Sequence, residues 1–324
     1  ERVQEEGRRP RSHNDHKRTY RFDKHQRLDG SAVRIAQHID SCGLPLLPVT
    51  RVEGFEFNDA LLGVKDWVMM DYSELHWDTE NTETHLFGVN TEKFNHIFKG
   101  EEWVKFDNWV KDNPPKLYLK RELLKQDVSD TIISMDYPAW HNPYPIEDRE
   151  QFNQRPISCF FYWGRSSEYR VRFHADVWTK SNAAVCDNLF YLQLFLQEES
   201  HPKKFVTVNV PHYARQPIEN ILKVNGLSKL SVSMRGSGRK CFRHAESPTN
   251  SVMITEENNL AWQFDWVDGV NCIKFNEWNI FHVIEAALSN PNLYDIYVEG
   301  VNTANKYHHT QYFPHINKII KDKL

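Results

Sequence analysis

Short apolar runs, each closed by a polar stretch, recur along most of the chain. Trp67-Val68-Met69-Met70 ends on Asp71 and a polar segment from Tyr72 to Thr84. Lys116 to Lys120 and Thr131 to Met135 repeat the form, and Leu44 to Val49 gives a proline-interrupted version of it. Runs bounded in this way read as strands covered on both faces. The charged stretch Arg121 to Gln126 between two of them reads as a helix. Beyond the proline-rich interval Pro138 to Pro156 the rhythm sharpens. Ile157 to Trp163, Phe205 to Val210, Leu230 to Met234, Ser251 to Ile254 and Cys272 to Phe275 predict strands. Asn182 to Leu196, with Val185, Leu189, Leu192 and Phe195 on one face, predicts a helix, as do Pro217 to Leu222, Trp278 to Leu288 and Pro291 to Tyr307. Strands alternating with helices at this spacing imply parallel sheets with helices on their faces.

A chain of 324 residues exceeds one comfortable core and suits two lobes. The texture divides it into an arm over 1–30, an α/β lobe over 31–145, a linker over 146–155, a second α/β lobe over 156–300 and a closing helical segment over 301–324. Hydrophobic residues at 40%, aromatics at 13%, supply packed interiors and exclude wholesale disorder. A net charge of -4 excludes a dedicated nucleic-acid binder. The arm carries nine Arg or Lys against six Asp or Glu, which leaves a polyanion contact open beside a solvated face. The five cysteines are scattered and odd in number, without C-x2-C spacing. That pattern argues against a disulfide scaffold and a thiolate zinc site, and for a reducing, cytoplasmic compartment. No apolar stretch of about 20 residues occurs, so no membrane span is expected.

The segment Ser233-Met234-Arg235-Gly236-Ser237-Gly238-Arg239-Lys240-Cys241-Phe242-Arg243-His244-Ala245-Glu246-Ser247 carries the densest chemistry. Gly236 and Gly238, directly after a strand, let backbone amides approach a ligand, and the helix behind them directs N–H groups at a phosphate. Lys240 and Arg243, three apart, share a helical face and add full charges that suit a pyrophosphate. Glu246, one turn further, is placed to accept hydrogen bonds from ribose hydroxyls. A polar loop with solvated bases and a capping glutamate is the plain alternative, because the full G-x-G-x-x-G fingerprint is absent.

This segment and the residues after it, as far as His309, resemble the C-terminal lobe of GT-B glycosyltransferases, in particular group-1-like and exostosin-like members. The matching residues are Gly236, Gly238, Arg239 to Arg243, Glu246, Val252 to Ile254, Asn271 to Phe275, Trp278 to Leu288, Asn290-Pro291 and Ile296 to His309. The resemblance covers about half the chain. It implies an α/β GT-B fold, two Rossmann-like lobes facing a central cleft, with residues 301–324 packing back on the first lobe. It implies a nucleotide-sugar donor, UDP- or GDP-linked, with no permanently bound cofactor. The acceptor would be a hydroxyl on a glycan, a protein or a modified base, with DNA a further option raised by the basic arm. Gly164-Arg165 resembles the first loop of the donor lobe, where Arg165 or Arg170 would neutralise the leaving diphosphate. Ser247-Pro248-Thr249-Asn250 replaces the family's small-residue turn, and the E-x7-E pair is missing. No Asp-x-Asp occurs, which favours transfer without a metal ion.

An inverting transfer needs a base on the acceptor lobe. Asp71, which closes the most apolar strand, is the first candidate and His76 the second; Asp136 and His141 follow another strand. A nucleotide-sugar epimerase and a non-catalytic nucleotide- or glycan-binding protein remain the rival functions.

Overall fold

The computed structural model describes residues 30–40, 42–49, 63–71, 108–142, 145–164, 184–186, 205–210, 218–234, 240–276 and 280–324. Within them the first lobe opens with helix α1 (Gly30–His38). Four strands follow, β1 (Leu46–Val49), β2 (Val68–Asp71), β3 (Leu117–Lys120) and β4 (Ile132–Ser134). They form a parallel sheet in the order β1-β2-β3-β4. Every residue of β2 and β3 is buried. This is the signature of a parallel strand covered on both faces, and it explains why Val68-Met69-Met70 shows no polar alternation.

The second lobe begins with the short helix α2 (Arg149–Asn153), held by a capping box in which Asp148 and Gln151 exchange side-chain and backbone bonds. Its strands are β5 (Ile157–Gly164), β6 (Ala184–Cys186), β7 (Phe205–Val210), β8 (Ser228–Ser233), β9 (Val252–Glu256) and β10 (Ile273–Phe275). They make a second parallel sheet in the order β10-β9-β8-β5-β7-β6. Helix α3 (Ile218–Gly226) leads into β8, and the single-turn α4 (Arg243–Glu246) lies between β8 and β9. Helices α5 (Ile280–Leu288), α6 (Leu293–Tyr307) and α7 (His309–Lys323) close the chain. The expected architecture of two α/β lobes on parallel sheets is present. No helix among the described residues is long and apolar enough to cross a membrane.

One core lies inside the second sheet, where Cys159, Phe161, Leu230, Val232, Val252 and Ile254 meet Ile284, Ile296 and Val301 of the closing helices. The other joins the first sheet to the C-terminus. Leu46, Val68, Leu117 and Ile133 share it with Tyr307, Tyr312, Phe313, Ile316 and Ile320. The break between α6 and α7 is fixed by Ala139, whose N–H donates to the Tyr307 carbonyl at 2.7 Å and whose carbonyl accepts the His309 N–H at 2.8 Å. Against α6 the turn at Asn271 approaches closely. A Cβ on Gly300 would lie 2.9 Å from the Asn271 carbonyl oxygen, so only glycine fits there without movement.

Two expectations fail. The helix read over Asn182 to Leu196 contains strand β6, because Ala184, Val185 and Cys186 pair in parallel with Val206, Thr207 and Val208. The helix read over Arg121 to Gln126 is a turn leading to a 3-10 segment at Lys125–Asp127. The Lys125 N–H bonds the Asn259 carbonyl, and the preceding Arg121 and Glu122 side chains go inward.

Candidate functional site

In the second sheet β5 has β7 on one side and β8 on the other. The chain reverses direction across the sheet here, and in open α/β sheets ligands bind at the carboxyl ends of the strands flanking such a point. Two segments leave these ends: the one after Gly164 and the glycine-bearing one after Met234. Gly164 ends β5. Arg165, Arg170, Gly236 and Gly238 lie outside the described residues, as does His76 in the first lobe.

Behind the glycine segment, α4 presents Arg243 and Glu246 one turn apart, with Arg243 Nη1 3.6 Å from Glu246 Oε2. The guanidinium lies over the ring of Tyr162, 3.9 Å from its centroid. Tyr162 is the last but two residue of β5, so this stack spans the switch point. The two charged side chains are 15% and 20% exposed, enough to meet a ligand while remaining oriented by their neighbours. Tyr162 carried no signal of its own in the sequence; its place opposite the core-facing Phe161 follows from strand alternation.

Lys240 does not share a solvent-facing helical surface with Arg243, as its spacing predicts. Its ammonium is fully buried and donates to Ser134 Oγ at 2.6 Å and to the Asp136 carboxylate, both in the first lobe. Its backbone N–H donates to Glu122 at 3.0 Å. Burial lowers the Lys240 pKa against the opposing pull of Asp136 and Glu122. Burial likewise raises that of Glu122, against Arg121 and Lys240.

Asp71 is also committed. It is 1% exposed, and its carboxylate accepts from Lys120 Nζ at 2.8 Å and from the Tyr118 hydroxyl at 2.5 Å. Lys120, Arg121 and Lys240 thus face Asp71, Glu122 and Asp136 in one buried, charge-balanced zone at the carboxyl edge of the first sheet. Asp136 is its hub, accepting further from the Gln263 N–H at 2.7 Å and the Tyr307 hydroxyl at 3.2 Å.

His244, between Arg243 and Glu246, turns inward. Its Nδ1 accepts the Cys241 N–H at 3.1 Å, and Nε2 lies 3.0 Å from Thr255 Oγ1. Burial lowers its pKa, but the Cys241 side chain and then Glu256 outweigh burial and the net direction is upward. A recess of about 10 Å³, room for about one water molecule, opens beside it, lined by Asp136, Tyr137, Cys241, His244, Trp262 and Tyr307 among others. It is far smaller than an ordinary ligand pocket. The turn after α4, a 3-10 segment Ser247–Thr249, is knitted by its own polar side chains. Ser247 Oγ meets Ser231 Oγ at 3.2 Å, Thr249 Oγ1 donates to the Glu246 carbonyl at 2.7 Å, and Asn250 Nδ2 donates to the Leu222 carbonyl at 2.6 Å.

No family model matches the chain, and no curated protein is significantly similar to it. Several solved structures align with it at low identity. A GtfA/B complex aligns with TM-score 0.49 and 11% identity over 86% of this chain and 57% of that one. TarM aligns with TM-score 0.45 and 10% identity over 90% and 57%. HepE of Anabaena, solved in complex with UDP, aligns with TM-score 0.43 and 10% identity over 90% and 96%. The chain therefore spans 57% of the length of the first two.

Proposed function

We propose that the protein is a GT-B glycosyltransferase that moves a sugar from a UDP- or GDP-sugar to a hydroxyl acceptor, most simply a glycan, without a metal ion. The observation that carries this reading is the Arg243–Glu246 pair, stacked on Tyr162 at the switch point directly behind Gly236 and Gly238. The parallel sheet supplies the crevice, the glycine segment supplies backbone donors, Arg243 supplies charge for the diphosphate, and Glu246 accepts from the ribose hydroxyls. Arg165, following Gly164 on the neighbouring strand, and Arg170 are assigned to the departing diphosphate.

Lys240 is left out of this set because its ammonium is bound by Asp136 and Ser134. Asp71 is left out as the base because Lys120 and Tyr118 occupy its carboxylate. The role of proton acceptor passes to His76, five residues after Asp71. Cys42, Cys159, Cys241 and Cys272 form no disulfide.

Thermal-shift measurements with UDP and GDP on the wild type, Arg243→Ala and Glu246→Ala test the donor site. Stabilisation of the wild type that disappears in both variants is expected, since ligand that binds only the native state raises its melting temperature. Undiminished stabilisation in both variants overturns the placement.

A further inference from the structure

We propose that Lys240 is a positioning residue, a strut by which the first lobe holds the start of α4, and with it Arg243 and Glu246 of the donor site, in place. The inference rests on the donor-site reading above and deepens it. Lys240 is the first residue after the stretch 235–239, and both of its polar ends are held by the opposite lobe. The backbone N–H donates to both Glu122 oxygens, at 3.0 and 3.3 Å. The three protons of the ammonium are directed at Ser134 Oγ at 2.6 Å, the Asp136 carboxylate, and the Met135 carbonyl at 3.5 Å. The ring of Trp262 covers the same ammonium, its centroid 4.8 Å away. That set uses every donor an ammonium has.

The anchor itself is rigid. Besides Lys240, the Asp136 carboxylate accepts from the Gln263 N–H, the Tyr307 hydroxyl and Ser134 Oγ, and the Asp136 N–H donates to the Tyr312 hydroxyl at 2.6 Å. Four parts of the chain, β4, the stretch around 263, α6 and α7, therefore meet at the group that grips Lys240. A buried ion pair contributes little net stability over an apolar substitute, and its best-attested use is to fix one arrangement among several. Here the fixed arrangement is the start of α4 relative to the end of β4. A movement of the end of β4 is transmitted to the start of α4 through Lys240, beside the contact of the Tyr137 and Phe242 rings, whose centroids are 4.0 Å apart.

The test uses Asp136→Asn, Glu122→Gln, Lys240→Met and the double variant Lys240→Met/Asp136→Asn in the full chain. UDP and GDP affinities are measured by calorimetry, and backbone hydrogen exchange is followed in the peptide covering 235–246. A strut predicts that Asp136→Asn and Glu122→Gln, which reach no nucleotide, each raise the dissociation constant about tenfold, a loss of about 1.4 kcal/mol. Lys240→Met does the same, and the double variant is no worse than either single one, because both remove one interaction. Exchange quickens in 235–246 in all four. Full affinity in Asp136→Asn with a loss confined to Lys240→Met makes Lys240 a direct phosphate ligand and overturns the proposal. Unchanged exchange in 235–246 overturns it as well. If the wild type binds neither nucleotide, the donor-site reading fails, and the strut is decided by the exchange data alone.

Discussion

Replacing Arg155 by Met removes one guanidinium from a position where it holds three parts of the second lobe together. Arg155 Nη1 donates to the Ser228 carbonyl at 2.8 Å and to the Asn250 carbonyl at 2.6 Å, both buried. Its Nε donates to Glu147 at 2.9 Å, and the guanidinium lies 4.8 and 4.7 Å from the Phe152 and Tyr297 ring centroids. Met keeps most of the apolar stem, so the loss is mainly that of the head group. Each buried carbonyl left without its donor costs about 1–3 kcal/mol. The Glu147 side chain is 36% exposed, so that ion pair adds little. The total is about 2–6 kcal/mol. With an unfolding entropy of roughly 2.1 cal/mol/K per residue, a 324-residue chain melting as one unit loses about 3–9 °C. Differential scanning calorimetry of Arg155→Met against the wild type measures this directly. A melting temperature within about 1 °C of the wild type refutes the reasoning, since it would mean that the two carbonyls find other partners at no cost.

Three further outcomes are expected. Gly300→Ala drives a methyl toward the Asn271 carbonyl at 2.9 Å; overpacking of about 1–3 kcal/mol outweighs a helix-propensity gain of about 1 kcal/mol, and circular dichroism melting shows a lower midpoint. An unchanged or higher midpoint shows that the turn yields freely. His38 and His308 both have pKa values lowered by burial first and then by the neighbouring His309, with Arg34 adding to the effect at His38 and His141 at His308. Between the folded and unfolded values the unfolded chain binds more protons, so their contribution is complete above about pH 6.5 and is lost as pH falls through that value toward the folded ones. Urea midpoints from about pH 8 to about pH 5 therefore decline, and His38→Gln/His308→Gln declines less; identical slopes contradict the assignment. Tyr162→Leu removes the platform under Arg243, a contact worth about 0.5–2 kcal/mol, and raises the dissociation constant for UDP or GDP by about 2- to 30-fold in calorimetry. Unaltered affinity separates the stack from the site.

What the sequence makes legible depends on how local the cause is. Trp67 to Met70 are apolar because a parallel strand is covered on both sides, so β2 is visible from composition alone. Arg243 and Glu246 are one turn apart in any helix, and their pairing needs no tertiary information. Lys240 is the opposite case. Its partners Asp136 and Glu122 are 104 and 118 residues away, and nothing near Lys240 distinguishes a buried strut from a phosphate ligand. Arg121 and Glu122 mislead for a related reason: charged residues in a row read as a solvated helix, whereas here the two are buried, pair with each other at 3.4 Å and are met by the Tyr137 hydroxyl and the Lys240 N–H. In the turn Ser247 to Asn250 the polar side chains bond Ser231, the Glu246 carbonyl and the Leu222 carbonyl, and two of these partners lie 16 and 28 residues away.

The most direct measurement is of acceptor-dependent release of nucleoside diphosphate. The full chain is incubated with UDP- and GDP-sugars and a panel of glycan acceptors in the presence of a metal chelator, and the nucleotides are resolved by chromatography. Accumulation of UDP or GDP in step with glycosylated acceptor, abolished in Glu246→Ala, is the predicted result. A free nucleotide-sugar returned as its epimer, or donors returned unchanged with every acceptor, contradicts the account.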